Sequence, residues 1–491
     1  MITITGATGF LGAHLLAALL RRDDRPVCAL VRGDPVSARE RLLRAVRSTG
    51  AGPGTESGDE PEGRSCSGAS SGAGAGAETV AETGAETVAE WAADEFHRRV
   101  TPVRIDLAAP RLGLPEAEHA ALARRTQELW HCAADTSPLG QAAALHRTNV
   151  EGTRRILELL HAGGHTAPLF HISTAFVAGR RRTGVVYEDT LDEQYGFATP
   201  YEESKFRAES LVRAWARSEG RPAVIFRPSL LVTDRPTQAG EPRHWLAVQA
   251  ARISMLERQD PALVLRAAGL AADDISLPYT ARVPGRPDAL VNLLQVDWAV
   301  TAMLRCAATR TAQTVVQPEP PAVTYHVVHP HDCSVQELVQ IALSGCDWLD
   351  VKLDPDVTAE DMRPLERFLI RLAAGLTPHW WSRRHYDRTH LEAATTGLAP
   401  PPELSGKYVR AGMRMPSSPE PSAAPSASSA PSPSGSSSSP SSSSSSAQKG
   451  AVTARVRSPP DDHFPRPLPQ LRRHLHGPPR DLRYRPGRTA P

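Results

Sequence analysis

The run Gly6-Ala7-Thr8-Gly9-Phe10-Leu11-Gly12 lies between a short strand pattern, Ile2-Thr3-Ile4-Thr5, and a stretch from Phe10 to Arg22 with Leu11, Leu15, Leu16 and Leu19 at helical spacing. Three glycines in that setting restrict what the chain can build. The strand must turn sharply into the helix, the helix must pack closely on the strand, and the turn must let another group approach its backbone. Each demand favours a residue without Cβ. A helix N-terminus presents unpaired N–H groups to an anion, and this glycine spacing suits the pyrophosphate of a dinucleotide. Gly6, Thr8, Gly9, Phe10, Leu11 and Gly12 are therefore the first candidate cofactor contacts.

A second strand pattern runs from Pro26 to Arg32. An acid about 20 residues past such a glycine turn ordinarily meets a ribose 2′-hydroxyl. Arg32 stands there instead, and its guanidinium matches a 2′-phosphate in charge and fork geometry. NADP(H) is favoured over NAD. Asp34, close by, is the counter-argument, but Asp34-Pro35 also reads as an N-cap with proline at the first helical position.

Strand and helix patterns then alternate. Strands are expected at 101–105, 127–132, 167–173 and 222–227, with helices at 138–161 and 200–218. A strand at 289–296 and a helix from Asp297 to Cys306 follow. Such units imply an α/β fold, a Rossmann-type doubly wound parallel sheet. The expected organisation is an NADP-binding domain over 1–48 and 96–310, split by a low-complexity insertion at 49–95, and a smaller, mainly helical C-terminal substrate lobe over 311–415. In that lobe Tyr325–Val328 reads as a strand. Ser334-Val335-Gln336-Glu337 and Thr358-Ala359-Glu360-Asp361 both read as capping boxes. In the insertion Gly76–Glu82 recurs at Gly84–Glu90, too short and too poor in large apolar residues to form a core, with helix expected only near 85–98. Residues 416–491 are Ser/Pro- and then Arg/Pro-rich and are expected to be a disordered tail. The net charge of +2 hides a local balance of +7 from Lys449 onward, ten Lys/Arg against three Asp/Glu, which leaves the body mildly acidic. Without interleaved aromatics or a fold, that basic tail is not expected to bind nucleic acid. The six cysteines are scattered with no C-x-x-C, and no leader or membrane-span pattern is present. These features imply reduced thiols and a cytoplasmic setting.

Tyr201-Glu202-Glu203-Ser204-Lys205 places a phenol and an ammonium four residues apart, on one face of a helix opened by Thr199 as N-cap and Pro200. A fixed cation near a phenol favours the phenolate and lowers a pKa that is otherwise about 10. Such a pair suits proton transfer to a carbonyl oxygen. The preceding strand ends in Phe170-His171-Ile172-Ser173-Thr174. Its carboxyl end faces the cofactor crevice, so Thr174 or Ser173 is a candidate second donor to that oxygen.

Taken in order, the glycine turn, Asp106-Leu107, His131-Cys132-Ala133-Ala134-Asp135, Asn149–Thr153, Ser173–Gly179, Tyr201–Lys205 and Phe226-Arg227-Pro228-Ser229 resemble the extended short-chain dehydrogenases/reductases. Leu30-Val31-Arg32, Asp106-Leu107 with Leu112-Gly113-Leu114, and Ser173–Gly179 leading to Gly184 and Glu188 are similar to the branch holding fatty acyl-CoA reductases and thioester-reductase domains. The likeness covers 1–48 and 96–310, extends weakly over 324–412, and omits the insertion and the tail. It implies catalytic roles for Thr174, Tyr201 and Lys205, with Asn149 completing a tetrad. It implies cofactor contacts at Asp106, Leu107, Ala133, Ala134, Lys205 and Pro228. One departure is Ile105, where these relatives usually carry glycine. The implied reaction is NADPH-dependent reduction of an acyl-CoA or acyl-carrier-protein thioester to an aldehyde, with a second reduction giving an alcohol.

Two other readings share the fold: a sugar-nucleotide epimerase/dehydratase or hydroxysteroid-type dehydrogenase, and a non-catalytic NADP-binding regulator. Arg32 argues against the NAD-dependent epimerases, and the Thr174, Tyr201, Lys205 set against the regulator. His329, His331, Asp332 and Cys333 read as a loop, not a metal site. Arg180-Arg181-Arg182 reads as a solvated loop, and His379, Trp380, Trp381 and His385 as lobe packing rather than a substrate channel.

Overall fold

The computed structural model describes residues 1–50, 90, 93–238, 240–271, 276–313, 321–373 and 375–414. The expectations for the repeats of the insertion and for residues 416–491 lie outside the described residues. Near the insertion's end, residues 93–99 are helical.

Seven strands form one parallel sheet: β1 (Ile2–Thr5), β2 (Val27–Val31), β3 (Val100–Arg104), β4 (Glu128–His131), β5 (Leu169–Ile172), β6 (Ala223–Pro228) and β7 (Ala322–Val327). Their order across the sheet is β3-β2-β1-β4-β5-β6-β7. The order reverses at β1, which pairs Ile2 with both Val27 and Glu128. In sheets of this kind ligands bind at that reversal, beyond the strands' carboxyl ends. All residues of β1, β2, β4, β5 and β6 are buried, as expected for strands covered on both faces.

Alternate residues supply two cores. Trp130, Phe170, Phe226 and Tyr325 stack across one face, with Trp130 and Phe170 ring centroids 4.4 Å apart. That face is covered by α1 (Phe10–Arg22) and by the helix Val296–Gln313. Leu129, Leu169 and Ile225 line the other face, under the helices Gly152–Ala162 and Pro200–Glu219.

A third apolar cluster forms the lobe, and it differs from the expected boundaries. Its helices Val335–Ala342, Pro364–Leu372 and Gly406–Met413 pack with Trp245–Glu257, and Tyr279–Pro284 pairs with Leu349–Asp354. Residues 245–293 thus contribute to the lobe, although the expected domain ran to 310. Conversely, the strand expected within the lobe is β7, paired with β6 along Ala322–Val327 at the sheet's edge. The buried Glu188 secures this edge: its carboxylate accepts the N–H groups of His326 in β7 (2.8 Å) and of Leu391 (3.3 Å), which packs in the sheet's core.

Two local expectations change as well. The strand at 289–296 is two short strands, Leu290–Val291 and Leu293–Gln295, which pair with different partners. Ser334 caps its helix, accepting from Glu337 N–H, but Thr358 does not. Thr358 donates from both its N–H and its hydroxyl to Asp361 in a turn, and the next helix begins at Pro364. Proline disfavours helical geometry in the residue before it, so a helix begun at 359 would break at Arg363. Among the described residues no helix is long and apolar enough to cross a membrane.

Candidate active site

The glycine turn is built for close approach. Gly6 adopts φ +72°, and a Cβ there would lie 2.6 Å from Ala133 N, so the end of β1 packs against the segment after β4. Gly9 N–H donates to Gly6 O (2.9 Å), and a Cβ on Gly12 would lie 2.1 Å from that oxygen. The helix starts at Phe10 with Gly9 as N-cap and no side chain on its first N–H groups. Thr8 and Leu11 are half-buried beside the turn, and the Phe10 ring rests 5.4 Å from that of His244. The half-buried Ala133 and Ala134 form the opposite bank, with Ala133 N–H donating to Thr5 Oγ1 (3.0 Å). Methyl groups added at Gly6 and Gly12 would strike the protein's own backbone, so glycine keeps the turn tight, and the uncapped N–H groups at the start of the helix suit a dinucleotide's pyrophosphate.

At the end of β2, Arg32 is exposed. Asp34 does not compete with it: its carboxylate caps the next helix, Pro35–Ser48, by accepting from Ser37 N–H (2.8 Å) and Ser37 Oγ–H (2.9 Å). Those bonds hold it below the usual carboxylate range. Arg41 joins Arg32 here, its guanidinium donating to Arg32 O (3.0 Å). After β3, Asp106 is exposed and accepts from Ala108 N–H (2.9 Å). Leu107 packs over Gly152, where a Cβ would sit 3.2 Å from its own. Pro228 is buried at the end of β6, opposite Val327.

Tyr201 and Lys205 project from the start of Pro200–Glu219, capped by Thr199, which accepts from Glu202 N–H. The phenol meets the Thr174 hydroxyl. Thr174 in turn accepts Phe176 N–H (3.3 Å) as cap of the short turn Ala175–Ala178. Lys205 is buried and donates to Ile172 O (2.6 Å). Burial pushes its ammonium down to about 8, with Glu209 opposing the shift. The sequence reading has this cation lowering the phenol's pKa. Instead, burial pushes Tyr201 up from the usual tyrosine value, and Thr174 is the group that opposes it. The desolvation of a half-buried phenol outweighs a cation whose ammonium is aimed at a strand carbonyl.

Of the two candidate second donors, Ser173 is engaged elsewhere, donating to Glu209 Oε2 (2.7 Å). Asn149 lies in a π-helical stretch, His146–Glu151. Its amide donates to Asp135 O (2.9 Å) and Ser204 Oγ (2.8 Å) and accepts Asp135 N–H (2.7 Å). It staples the bank of the crevice to the Tyr201 helix.

The sequence reading takes His379 as lobe packing and does not foresee its contact with the Tyr201 helix. His379, buried, donates through Nε2 to Glu202 Oε1 (2.9 Å), beside Tyr201, and its ring lies 4.6 Å from that of Phe176. Arg384 donates to His379 Nδ1 (3.4 Å) and to Gly179 O (2.6 Å). Burial, reinforced by that guanidinium, holds the imidazole below its usual pKa, although Glu202 favours the cation. His379 and Val291 line two cavities at once. One is polar, with Phe176, Ser229, Asn292, Ser382 and Arg384; the other is apolar and lies within the lobe. The buried hydroxyls of Ser229 and Ser382 have no hydrogen-bond partner among the described residues. His329, His331 and Asp332 lie in a loop, with Cys333 in the short strand that pairs with Leu290–Val291; Asp332 accepts from Asn292 and pairs with His385. No cluster of metal-ligating side chains occurs among the described residues.

The family model described as male sterility protein, an NAD-binding domain, matches residues 4–60 and 68–265. The chain is 31% identical over 240 residues to a linear gramicidin synthase of Brevibacillus parabrevis, covering 48% of this chain and 4% of that protein. It is 30% identical over 238 residues to the isonitrile lipopeptide synthase of Streptomyces coeruleorubidus, covering 48% and 13%. The chain therefore spans only a small part of these relatives. Its fold is similar to the terminal R domain of the myxalamid PKS-NRPS pathway (TM-score 0.55, 22% identity, 84% of this chain and 88% of that one). It is also similar to the reductase domain of a nonribosomal peptide synthetase from Mycobacterium tuberculosis (TM-score 0.54, 20% identity, 84% and 89%). With the glycine cradle at the sheet's reversal and the Thr174–Tyr201 pair beside it, the match over more than half of the chain makes this a member of the male sterility protein family, an NAD(P)-dependent oxidoreductase of the extended short-chain dehydrogenase/reductase class in its thioester-reductase branch.

Proposed function

We propose that the chain reduces an acyl thioester, presented on a carrier protein or on coenzyme A, with NADPH, and that the first product is the aldehyde. The observation that carries this reading is the meeting of the Thr174 and Tyr201 hydroxyls beside the glycine cradle. The relatives are synthetases of peptides and lipopeptides, which favours a carrier-bound acyl group.

In this reading Gly6, Thr8, Gly9, Phe10, Leu11 and Gly12 hold the pyrophosphate. Arg32 takes the 2′-phosphate, Asp106 and Leu107 flank the adenosine, and Ala133, Ala134, Lys205 and Pro228 border the nicotinamide half. When bound, the dinucleotide supplies the hydride. The chain's own work is at the carbonyl oxygen. Thr174, whose hydroxyl accepts Phe176 N–H and meets Tyr201 Oη, would turn its proton to that oxygen. A phenol raised by burial is protonated at neutral pH, so Tyr201 Oη gives its proton to the oxygen as negative charge develops. Lys205 stands behind with its ammonium fixed on Ile172 O. The resulting hemithioacetal then loses its C–S bond, the sulfur leaving as thiol and the carbon as aldehyde; a second hydride and proton would give the alcohol.

The test is NADPH consumption with a panel of acyl-CoA and acyl-carrier thioesters, with thiol release followed in parallel. We expect one thiol per acyl group, with one NADPH per thiol for aldehyde and two for alcohol. Turnover confined to alcohols with NAD would overturn the reading. In the same assay Arg32→Ala weakens NADPH binding about 10- to 100-fold, the worth of charged hydrogen bonds, and leaves NADH binding unchanged.

A further inference from the structure

We propose that His244 is a positioning residue for the cofactor: its imidazole ties the end of the lobe helix Gly406–Met413 to Phe10 in the glycine turn, so that dinucleotide binding and the docking of that helix strengthen each other. The proposal rests on the reading of the turn as the place of the dinucleotide's pyrophosphate. Phe10 opens α1, and its N–H is among those at the helix start that find no acceptor within the helix. Its ring is held from two sides. The ring of His14 meets it at 5.0 Å and that of His244 at 5.4 Å. His14 belongs to α1 itself and donates through Nδ1 to Phe10 O (2.9 Å). His244 comes from outside, as the N-cap of Trp245–Glu257, a helix that packs in the lobe.

The far side of that imidazole is fixed by the lobe. His244 is buried, and its Nε2–H donates to Gly412 O (3.1 Å). Gly412 lies in the last turn of Gly406–Met413, where the carbonyls have no partner within the helix, and His244 supplies one. The approach is close: a Cβ on Gly412 would overlap Thr233 O and sit 3.2 Å from His244 Nε2. A helix that lifts away from Thr233 takes the imidazole's partner with it and loosens the ring on Phe10. A dinucleotide that fixes the turn fixes the imidazole, and through it the helix. Such coupling is reciprocal.

The experiment uses the full chain with NADPH and with NADH, which share the pyrophosphate. Fluorescence titration reads affinity, and hydrogen exchange reads the amides of 406–413 and of α1. In the wild type, saturating NADPH is expected to slow exchange in both helices. His244→Ala should weaken NADPH and NADH alike by about three- to tenfold, the worth of an aromatic contact. At saturating NADPH it should keep the protection of α1 and lose that of 406–413. His244→Phe keeps a ring on Phe10 and drops the bond to Gly412 O, so it should recover the affinity but not the protection. Gly412→Ala, which alters nothing in the turn, should weaken NADPH as a single change and leave it unmoved in the His244→Phe background. Exchange in 406–413 that ignores NADPH in the wild type, or NADPH affinity unmoved in His244→Ala, overturns the coupling and leaves the turn as the cofactor site. Binding of neither dinucleotide overturns the reading of the turn and the coupling with it.

Discussion

Tyr201→Phe lowers kcat for thioester reduction by about 10²- to 10⁴-fold, the usual worth of a positioned general acid, and leaves NADPH affinity nearly unchanged. The ring stays, so the packing of the helix start is kept and no cofactor contact in the glycine turn is touched. What goes is one hydroxyl, with its proton and its contact with Thr174. Transition-state charge on the substrate oxygen then has only the Thr174 hydroxyl. Because burial raises the phenol, the wild-type donor stays protonated well above neutrality. A decline of kcat on the alkaline side therefore reports another group, and Lys205, held near 8, is the one expected. Its sign follows from its charge: the ammonium is present below about 8 and lost as pH rises through that value. NADPH titration by fluorescence, set beside single-turnover reduction, separates the two effects in the variant. Comparable single-turnover rates in Tyr201→Phe and wild type would remove the phenol from the chemistry.

What could be read in the sequence was whatever contiguous spacing encodes. The glycine turn, the Asp34-Pro35 and Thr199-Pro200 helix starts and the Tyr201–Lys205 pair each depend on residues a few positions apart, and each stands where expected. What could not be read depends on pairings across long separations. His379 and Glu202 are 177 residues apart, and no local pattern pairs them. No element is expected over 245–257 from the sequence, and only the packing of the helix Trp245–Glu257 with Leu338, Leu369 and Trp380 assigns it to the lobe. β7 lies far from β6 in sequence, so its place in the sheet was hidden by the intervening lobe segment. The phenol's shift failed for a different reason. Spacing shows that Tyr201 and Lys205 share a face, but not that burial dominates the one and a strand carbonyl holds the other.

Arg227→Met destabilises the fold by about 3–5 kcal/mol, the cost of breaking one side of a buried ion pair. Arg227 and Glu209 are both fully buried, joined by Nη2 to Oε1 (2.7 Å) and Nε to Oε2 (3.1 Å). Arg227 also donates to Thr190 O (2.8 Å), and Glu209 also receives Arg213 (2.9 Å) and Ser173 Oγ–H (2.7 Å). Glu209→Leu should cost a similar amount, because it strands the guanidinium instead. The double variant, which buries neither charge, should recover much of the loss in urea unfolding, since apolar replacement of a whole buried pair is often neutral. Its pH dependence should differ as well. The paired cations hold the Glu209 carboxyl down to about 2 against an ordinary 4.5. Its stabilisation is therefore present above about 4.5 and lost as pH falls toward 2, and the double variant should show a shallower acid limb over that window. Catalysis should not recover with stability. Glu209 holds Ser173, the residue before Thr174, and shares its helix with Tyr201 and Lys205, so removing it frees the strand end that aims the threonine hydroxyl. A double variant as stable as wild type but lower in kcat, with NADPH affinity kept, separates the pair's positioning role from its part in folding. If kcat returned together with stability, the pair would serve the fold alone.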